Sequence, residues 1–433
     1  MNNQQINVPD GWERCPLRNF GHVIGGGTPS RSQPSFWNGS IPWASVKDFT
    51  DDLVCLHDTV EHISPDGLSS SAAHLVPENT PVICTRMAVG RCALTMQPTA
   101  INQDLKAFLL KEDIDRRYFI RLLHFNGPVL DGISVGSTVR GVTVGDLLSL
   151  EVLRPVRCTE QSRIAYVLDT IDEAIAKTKA VIAKLKQVRA GLLHYLLSYG
   201  LDENGQLRDP VAHPEQFQNS PFGLIPIAWN YGPLSYFVPS AEYGISTSLG
   251  DNGCPVLRMN NLAEGEAELS NLKYSTAAIP KALWLRPGDV LFNRTNSWVH
   301  VGRTGIWRGQ IERATFASYL VRLNPQPGLL NSELLNLWLN WPPIQISMRG
   351  FATPAVQQVN INPTNLRQML AAFPGNLDEQ TNMVAYISAH DVLLRSERDE
   401  LKKLKQLKSG LMSDLLTGRV RVPETVTGGV DRL

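Results

Sequence analysis

Residues 340–344 are the stretch of this chain that comes nearest to a catalytic motif. They read N-W-P-P-I, whereas adenine methyltransferases use Asn/Asp-Pro-Pro-aromatic to hold the amino group of a base turned out of the duplex. The stretch has an additional Trp, lacks an aromatic residue after the prolines and follows no glycine-rich S-adenosylmethionine loop. Because proline interrupts helices, we predict a helix end here rather than a catalytic loop.

A second candidate catalytic set combines Asp66 with the run Asp104-Leu105-Lys106. Two carboxylates and a lysine can hold a metal ion and activate water for phosphodiester cleavage. The second half of the chain has no counterpart to this set, and such triplets also arise by chance. The histidines at 57 and 62 have the spacing of neither a helical metal-binding pair nor a zinc site. The sequence therefore predicts no catalytic residues and no metal site.

The six cysteines, at positions 15, 55, 84, 92, 158 and 254, include no C-x-x-C pair. Scattered cysteines without metal-ligand spacing are typical of reduced, buried thiols in a cytosolic protein. The chain has no apolar run of about 18 residues, and its first residues show no signal-peptide pattern. We therefore expect a cytoplasmic protein. Apolar residues make up 43% of the chain, which is sufficient to fill hydrophobic cores.

The chain repeats itself at half its length. Residues 184–187 and 403–406 both read K-L-K-Q, at positions that differ by 219 (403 − 184). The same difference relates Glu160 to Glu379. The repeated stretch, 161–197 in its first copy, is long enough for one helix of roughly 55 Å. A helix that recurs in this way indicates a protein built from two similar halves.

The globular stretches before the two helices also correspond, more weakly. Trp12 matches Trp229, and we match Arg91 with Arg303 and Arg86 with Arg294. The difference in residue number between matched positions varies along the chain because the loops differ in length. The predicted segments are a globular domain at 1–158, a central helical region at 159–200, a linker and second globular domain at 201–377, a C-terminal helical region at 378–419 and a flexible tail at 420–433.

Each predicted long helix has a narrow apolar seam with 3-4 spacing, the signature of helices that pair along their length. Because an isolated helix would leave its seam in water, each helix is expected to pack against the other. The first seam comprises Ile164, Leu168, Ile171, Ile175, Thr178, Ile182, Leu185 and Leu192, and the second comprises Met383, Ile387, His390, Leu394, Glu397, Leu401, Leu404 and Leu411.

Buried strands are predicted at four places in the globular stretches, and helices at two. The strands are residues 41–46, 81–84, 255–259 and 289–292, and the helices include 118–125 and 332–339. The globular stretches contain 21 Arg but only 5 Lys, although the net charge of the chain is zero. Arg grips guanine or phosphate with two hydrogen bonds, so this bias suits nucleic-acid recognition. A GC-rich genome explains the composition equally well.

A set of short motifs gives the chain a family resemblance. G-G-T-P-S at residues 26–30, Trp37, the run Ile41-Pro42-Trp43 and the pair Lys47-Asp48 precede the repeated helix. Together they resemble the specificity subunit of a type I restriction–modification system. The resemblance covers nearly the whole chain, and the duplicated arrangement of module and helix is its most specific part. The second module lacks G-G-T-P-S, so the role of its first loop is not predicted.

The resemblance implies an α/β (α+β) fold. Two mixed globular target-recognition domains are separated by two long antiparallel coiled-coil helices, with an internal two-fold repeat. Each domain would read one half of an asymmetric split target in double-stranded DNA. The helices would set the spacing and dock two methyltransferase subunits, which would carry out the chemistry. No cofactor is expected on this chain. S-adenosylmethionine would bind the methyltransferase subunits. ATP and Mg would bind partner subunits, which include the restriction subunits.

Candidate DNA contacts are polar side chains expected on loops in both modules. Arg pairs with guanine and Asn or Gln with adenine, while matched arginines suit phosphate. The predicted set is Lys47, Thr85, Arg86, Arg91 and Arg140 in the first module, and Arg258, Asn260, Asn261, Asn293, Arg294, Arg303, Arg349 and Gln357 in the second. The alternative hypothesis is a DNA-cutting or base-modifying enzyme with duplicated modules.

Overall fold

The computed structural model describes residues 8–136, 140–355 and 358–426. The chain forms two compact units. The first contains Met1–Ala180 and Arg398–Leu433, and the second contains Val181–Glu397. Both units are mixed α/β, as predicted. Each unit includes the start of one long helix and the end of the other, so the units cut across the five predicted segments. Among the described residues, no helix is long and apolar enough to cross a membrane.

The first half of the chain forms eleven strands and four helices within the described residues. The strands are β1 (Trp12–Pro16), β2 (Gly21–Gly25), β3 (Ile41–Ala44), β4 (Cys55–Leu56), β5 (Glu61–Ile63), β6 (His74–Val76), β7 (Pro81–Cys84), β8 (Cys92–Thr95), β9 (Thr99–Ile101), β10 (Leu105–Leu110) and β11 (Glu151–Pro155). The helices are α1 (Pro65–Ser69), α2 (Arg116–Ile133), α3 (Val144–Ser149) and α4 (Cys158–Tyr199).

The second half of the chain forms sixteen strands and five helices within the described residues. The strands are β12 (Phe217–Ser220), β13 (Gly223–Pro226), β14 (Trp229–Pro233), β15 (Ser240–Tyr243), β16 (Cys254–Leu257), β17 (Leu262–Ala263), β18 (Gly265–Ala267), β19 (Lys273–Ser275), β20 (Val290–Asn293), β21 (Thr295–Asn296), β22 (Thr304–Ile306), β23 (Thr315–Phe316), β24 (Leu320–Asn324), β25 (Ala352–Ala355), β26 (Gln358–Ile361) and β27 (Leu370–Pro374). The helices are α5 (Leu234–Phe237), α6 (Ser332–Asn340), α7 (Pro342–Arg349), α8 (Pro363–Leu366) and α9 (Leu377–Leu416).

The central sheets of the two units have corresponding topologies. In the first unit the strand order is β2-β10-β7-β8-β4, and in the second it is β15-β24-β20-β22-β18-β17. In each sheet one pairing of the described strands, β8 with β4 or β22 with β18, is parallel, and the others are antiparallel. A small antiparallel pair, β1 with β11 or β14 with β27, also recurs. The structure thus shows that the duplication extends through the globular parts.

The predicted strands and helices agree closely with the observed ones. β7 has the predicted bounds, and α2 and α6 contain the predicted helical stretches. The four strands were recognisable because their apolar residues are buried in continuous runs, as in β20, where all four residues are buried. The N-W-P-P-I stretch is a helix end, as predicted: α6 ends at Asn340, and α7 begins at Pro342.

The long helices α4 and α9 pair antiparallel. In the first unit the start of α4 shares a core with the end of α9, and Lys408 contacts Asp172 at 2.7 Å. In the second unit the end of α4 shares a core with the start of α9, and Arg189 donates two hydrogen bonds to Asp391. Arg189 and Lys408 are equivalent positions, as are the two aspartates. The apolar seam is therefore flanked by the same ion pair in both units.

A buried glutamine near the start of each long helix makes the same pair of contacts. In the first unit, Gln161 donates to the carbonyl of Pro155 at 3.1 Å and accepts from the backbone N–H of Asp115 at 3.0 Å. In the second unit, Gln380 donates to the carbonyl of Pro374 at 2.8 Å and accepts from the N–H of Asn331 at 2.7 Å. Each glutamine thus joins a sheet end to the start of α2 or α6. Such buried bonds explain why this residue type occurs twice.

The glutamate before each glutamine is held in a buried three-residue arrangement, which we call the clamp. In the first unit, Glu160 accepts from Trp12 Nε1 at 3.1 Å and from two Arg421 nitrogens at 2.5 and 2.7 Å. In the second unit, Glu379 accepts from Trp229 at 3.1 Å and from Arg208 at 2.6 and 3.0 Å. Two-pronged Arg–carboxylate pairs of this kind are among the strong charge-assisted hydrogen bonds.

The arginine of each clamp follows the end of the opposite long helix in sequence. Arg421 lies after α9 and Arg208 after α4, so each clamp ties the segment that follows one long helix to the start of the other. Arg208 is buried, and Val422 packs into the core of the first unit. An ion pair to the glutamate of the clamp anchors each of these segments. Residues 427–433 lie outside the described part of the chain.

Candidate nucleic-acid interface

In each unit a tight turn follows β3 or β16, and this turn determines which of its polar side chains are exposed. In the first unit the backbone N–H of Ser45 donates to Asp48 at 2.8 Å. In the second unit the N–H of Arg258 donates to the Asn261 side chain at 3.0 Å. The side chain of Asp48 or Asn261 is engaged in this hydrogen bond, whereas the residue before it is exposed. Lys47 and Asn260 therefore occupy the same exposed position in the two units.

The turn of the second unit forms one wall of a cleft of about 770 Å³. The cleft contains two arginines and a histidine, and none of its lining residues is acidic. Its lining consists of Ile245, Ser246, Thr247, Leu249, Arg258, Met259, Asn260, Leu262, Ala263, Asn296, His300, Arg303, Ala317, Ser318 and Tyr319. Such a lining offers hydrogen-bond donors and positive charge to an anionic partner. Three predicted contact residues, Arg258, Asn260 and Arg303, come together here.

The arginines matched between the modules occupy different surroundings. Arg91 of the first unit forms an ion pair with Asp51 at 2.7 Å and donates to the carbonyl of Phe49 at 3.1 Å. Its counterpart Arg303 lines the cleft. The equivalence is supported by the strands, because β7 pairs with β8 as β20 pairs with β22. The second arginine thus lines the cleft, and the first stabilises its own loop.

The match of Arg86 with Arg294 is wrong by one residue. The backbone N–H of Thr85 donates to Asp104 O, as that of Arg294 donates to Tyr319 O, so Arg294 corresponds to Thr85. Arg86 corresponds instead to Thr295 and forms an ion pair with Asp104 at 3.2 Å. The sequence match failed because the loops that follow differ in length.

Three predicted contact residues are corrected because their side chains are buried. Thr85 donates to Asp104 O at 3.0 Å, and Asn261 donates to the carbonyls of Glu268 and Ser270. Asn293 is fully buried, and its side-chain N–H₂ contacts the carbonyls of Met259 and His300 at 3.5 and 3.4 Å. Thr85 and Asn261 hold loops in place through these bonds, whereas the buried Oδ1 of Asn293 has no hydrogen-bond partner among the described residues.

The remaining predicted residues lie outside the cleft lining. Arg140 is exposed and donates to the carbonyl of Asp131 at 2.7 Å. Arg294 is half-buried with its guanidinium 5.3 Å from the ring centroid of Tyr243. Arg349 ends α7 and has a buried Nε without a hydrogen-bond partner among the described residues. Gln357 lies outside the described residues.

The first loop of the second module, for which no role was predicted, has a structural counterpart to G-G-T-P-S. A Cβ on Gly26 would lie 1.8 Å from Ile101 O, and a Cβ on Gly244 would lie 2.1 Å from Phe316 O. Both glycines allow the loop after β2 or β15 to pass close against a neighbouring strand. The loop after Gly244 then supplies Ile245, Ser246 and Thr247 to the cleft.

The hypothetical nuclease set does not assemble into a metal site. Asp104 faces Arg86, and Lys106 Nζ donates to the carbonyls of Gln103 and Leu105 at 2.9 and 3.0 Å. Burial lowers the pKa of Lys106, an effect that Asp104 opposes. Within the described ranges no three His, Cys, Asp or Glu side chains gather as metal ligands. Asp104 and Lys106 thus make their contacts with neighbouring protein groups.

Several cleft residues have no recognisable signal in the sequence. Ser246, Thr247, His300, Ser318 and Tyr319 line the cleft although they lie on separate loops. Loops have no periodic pattern, so no local signal brings them together. One usable signal was length: nine residues separate Asn293 from Arg303, whereas six separate Cys84 from Arg91. A longer loop at an otherwise equivalent position marks a place where the two modules differ.

Sequence comparison identifies the first of these units. The family model of the type I restriction modification DNA specificity domain matches residues 9–187. The specificity subunit of the type I restriction enzyme EcoR124I/EcoR124II of Escherichia coli is 32% identical over 163 residues, which are 36% of this chain and 40% of that subunit. The MjaIX specificity subunit of Methanocaldococcus jannaschii is 26% identical over 175 residues, 40% of each chain. The chain thus spans about two fifths of the length of these two relatives.

The likeness extends along the whole chain in a further relative and in solved structures. The MjaVIII specificity subunit of M. jannaschii is 23% identical over 437 residues, which cover 96% of this chain and 95% of that one. The S subunit of a type I restriction-modification system from M. genitalium has a TM-score of 0.55 and 14% identity, covering 96% and 97% of the two chains. A chain from a structure of the type I R-M system has a TM-score of 0.60 and 15% identity, covering 96% and 100%.

The matched domain belongs to the first unit, and the second unit repeats its sheet topology and its pairing of the long helices. The structural likenesses show that this fold is shared along the whole chain. Residues 9–187 of this chain thus match a type I restriction modification DNA specificity domain, and the chain shares its fold with the S subunit of a type I system.

Proposed function

We propose that this chain is the non-catalytic subunit that recognises double-stranded DNA for a type I restriction–modification complex. Each unit reads one half of an asymmetric split target. The paired helices α4 and α9 set the spacing and dock methyltransferase subunits, two in the complete complex. The relatives are specificity subunits by name, and one related structure describes complex assembly of the type I R-M system.

The observation that carries this proposal is the contrast between a duplicated scaffold and a divergent surface. The two units share sheet topology, the glutamine contacts and the clamp. The positions that face solvent differ: Lys47 stands where the other unit has Asn260, and Arg91 is paired with Asp51 whereas Arg303 lines the cleft. Selection for two different DNA sequences on one scaffold produces this pattern, because phosphate contacts position a protein and base contacts specify the sequence.

The chemistry belongs to the partners in this proposal. S-adenosylmethionine binds the methyltransferase subunits, and ATP and Mg bind where the restriction subunits join the complex. The complex acts in the cytoplasm, where DNA is present and free thiols persist, which suits six free cysteines. This chain contributes orientation, holding each half-site so that the partner reaches its target base.

The decisive experiment is the methylome of a host that expresses this chain with its methyltransferase subunits. The expected result is one asymmetric split motif that disappears when this chain is omitted. The Asn260→Ala and Lys47→Ala variants form a matched pair, one in each unit at the same exposed position. Each should relax the motif only in the half-site that its unit reads, with discrimination falling by about 1–3 kcal/mol at one base pair.

The spacer role of the helices has its own test. Four residues inserted near Ala180 in α4 should change the separation or phase of the two half-sites and leave their sequences unchanged. New half-site sequences in the methylome of this variant would show that the helices do more than space the units.

The alternative hypothesis, a duplicated enzyme that cuts or modifies DNA, predicts activity of the purified chain alone. We expect no methylation, cleavage or ATP hydrolysis without the partners. Turnover that is lost in the Asp104→Asn or Lys106→Ala variant, with folding unchanged, would replace the recognition proposal by the enzymatic one.

A further inference from the structure

The loop between β20 and β22 carries two adjacent, exposed apolar side chains at its tip. Trp298 is 52% exposed and Val299 is 64% exposed. Neither side chain packs into a core of the second unit, whereas the next apolar residue, Val301, is completely buried. The loop is therefore fixed to the unit at Val301, while the aromatic ring of Trp298 at its tip is exposed.

The base of this loop is rigid. His300 and Val301 both donate backbone hydrogen bonds to Ser297 O, at 3.0 and 2.9 Å, which closes a tight turn around the tip. Gly302 O accepts from Gln345 Nε2 at 2.8 Å, and Asn293 contacts the carbonyl of His300. A turn held at several points presents its tip with little loss of conformational entropy on binding.

The loop is continuous with the cationic cleft. Asn296, His300 and Arg303 belong to the loop and also line the cleft. A duplex whose phosphates occupied this cleft would bring its base edges toward the tip. The absence of acidic residues from the cleft lining favours an anionic occupant, and DNA is the anion of the proposed function.

We propose that Trp298, supported by Val299, inserts against a base step of the half-site read by the second unit. Apolar wedges that unstack and bend DNA are a recurring device of DNA-binding proteins, and an aromatic ring also stacks on a base. Bending makes recognition depend on how easily a sequence deforms, in addition to direct base contacts. The proposal rests on the proposed DNA recognition and adds a second means of reading the sequence to it.

The first unit offers a built-in comparison. Its equivalent loop is shorter and carries Met87 at its tip, with a φ of +65° and 68% of the residue exposed. A methionine in this position has a flexible thioether chain where the second unit has a flat ring. The Trp298 wedge is thus expected to act on one half-site only.

The test uses the full chain assembled with its methyltransferase subunits and the target found by methylome sequencing. Duplexes carry the fluorescent base analogue 2-aminopurine at each position of the two half-sites in turn, except at the methylated adenines. The wild-type complex should raise the fluorescence at one step of the second half-site. Trp298→Ala should abolish this signal and weaken target binding about tenfold, the order expected for one lost stack. Trp298→Phe should retain part of both effects.

Matched controls distinguish the wedge from a general loss of DNA binding. Phe222→Ala removes another exposed aromatic residue of the second unit and should change neither signal. Arg303→Ala should reduce the slope of affinity against salt concentration, whereas Trp298→Ala should leave that slope unchanged because no charge is lost. Probes in the first half-site should respond to neither Met87→Ala nor Trp298→Ala.

Three outcomes would overturn the wedge. The first is unchanged fluorescence and affinity in Trp298→Ala. The second is failure of Trp298→Ala to assemble with the methyltransferase subunits in the absence of DNA, which would make the tip a protein contact. The third is a wild-type complex that binds its target without any fluorescence change in the second half-site. A wild-type complex that does not bind DNA at all would instead refute the proposed function.

Discussion

The two units of this protein agree where residues are buried and differ where residues face the cleft. Each unit has a clamp in which a tryptophan and an arginine hold one glutamate, Glu160 or Glu379. At the surface, Arg91 is paired with Asp51, whereas Arg303 lines a cleft without acidic residues. The difference teaches that the buried polar contacts define the scaffold, and that the same residue type at equivalent positions has two different roles.

The clamps themselves are not equally buried. The side chains of Arg208 and Glu379 are both 9% exposed, whereas the Arg421 side chain is 45% exposed. Gly200 explains part of the greater burial of the clamp in the second unit. It ends α4 with a φ of +67°, and a Cβ there would lie 2.2 Å from Glu379 Oε1. Only glycine permits both the conformation and the close approach, so the helix end and the clamp form one closed arrangement.

The largest effect is expected when the chain is divided. A fragment of residues 1–200 contains one module and one seam, and its exposed seam should pair with that of a second copy. The clamp adds a requirement, because such a pair lacks Arg208. Residues 1–213 restore it: Glu160 of one copy would face Arg208 of the other, and Asp172 would face Arg189. With methyltransferase subunits, this pair should modify a palindromic split site built from the first half-site.

Light scattering and methylome sequencing test this prediction. The 1–213 fragment should form a dimer more stable than that of 1–200, and Arg208→Ala should reduce it to the behaviour of the shorter fragment. A folded monomer of 1–213, or modification of the original asymmetric site, would show that the two halves are not interchangeable.

The clamps should also differ in strength. Glu379→Gln leaves the buried guanidinium of Arg208 without a counterion and should destabilise the second unit by about 3 kcal/mol. Glu160→Gln should cost about 1 kcal/mol, because water reaches the half-exposed Arg421. Hydrogen exchange at the start of α9 and of α4 measures each effect locally.

A surface variant serves as the reference for the clamp variants. Glu173→Gln removes an exposed pair with Lys177, 60% and 78% exposed, and should change stability by less than about 0.5 kcal/mol. Equal losses in Glu379→Gln and Glu160→Gln would contradict the difference in burial.

The matched arginines should separate DNA binding from loop stability. Arg303→Ala should weaken binding by the assembled complex about tenfold, since a cation that lines the cleft is lost. Arg91→Ala should change binding less and instead increase hydrogen exchange around residues 49–51, which Arg91 holds. Titration of labelled DNA at several salt concentrations measures the first effect. Equal binding losses in the two variants would mean that the ion pair with Asp51 opens on DNA.

The smallest effect concerns pH. His124 of the first unit contacts Cys92 O at 2.8 Å, and Asn340 of the second unit makes the equivalent contact with Thr304 O at 3.2 Å. Burial lowers the pKa of His124 below 6.5, and Arg121 and Lys408 add to this while Asp172 and the hydrogen bond oppose it. The unfolded chain therefore binds the additional proton, and the contribution of neutral His124 to stability is lost as the pH falls below about 6.5.

His124→Asn places the residue of the second unit in the first. The variant should lose less stability than the wild type between pH 7 and pH 5, measured as hydrogen exchange of β8, with β22 as the internal reference. Identical pH dependence of β8 in the two proteins would remove His124 as the cause.

The sequence alone determined the duplication, the long helices and the main buried strands. These features have local signals: a repeated K-L-K-Q, apolar residues at helical spacing and continuous apolar runs such as β7. Apolar burial imposes a period on a helix or strand, and a period can be read without knowing what lies opposite. The family resemblance followed from the same duplicated pattern.

The tertiary structure decided which polar side chains are buried within the protein and which line the cleft. Asn293 and Arg303 are both polar residues close to the same loop, yet one is fully buried as a brace and the other lines the cleft. The clamps also join residues far apart in sequence, such as Glu160 and Arg421. A polar side chain has no period, and its role depends on whether a distant segment supplies its hydrogen-bond partner. That pairing arises only when the whole chain is folded.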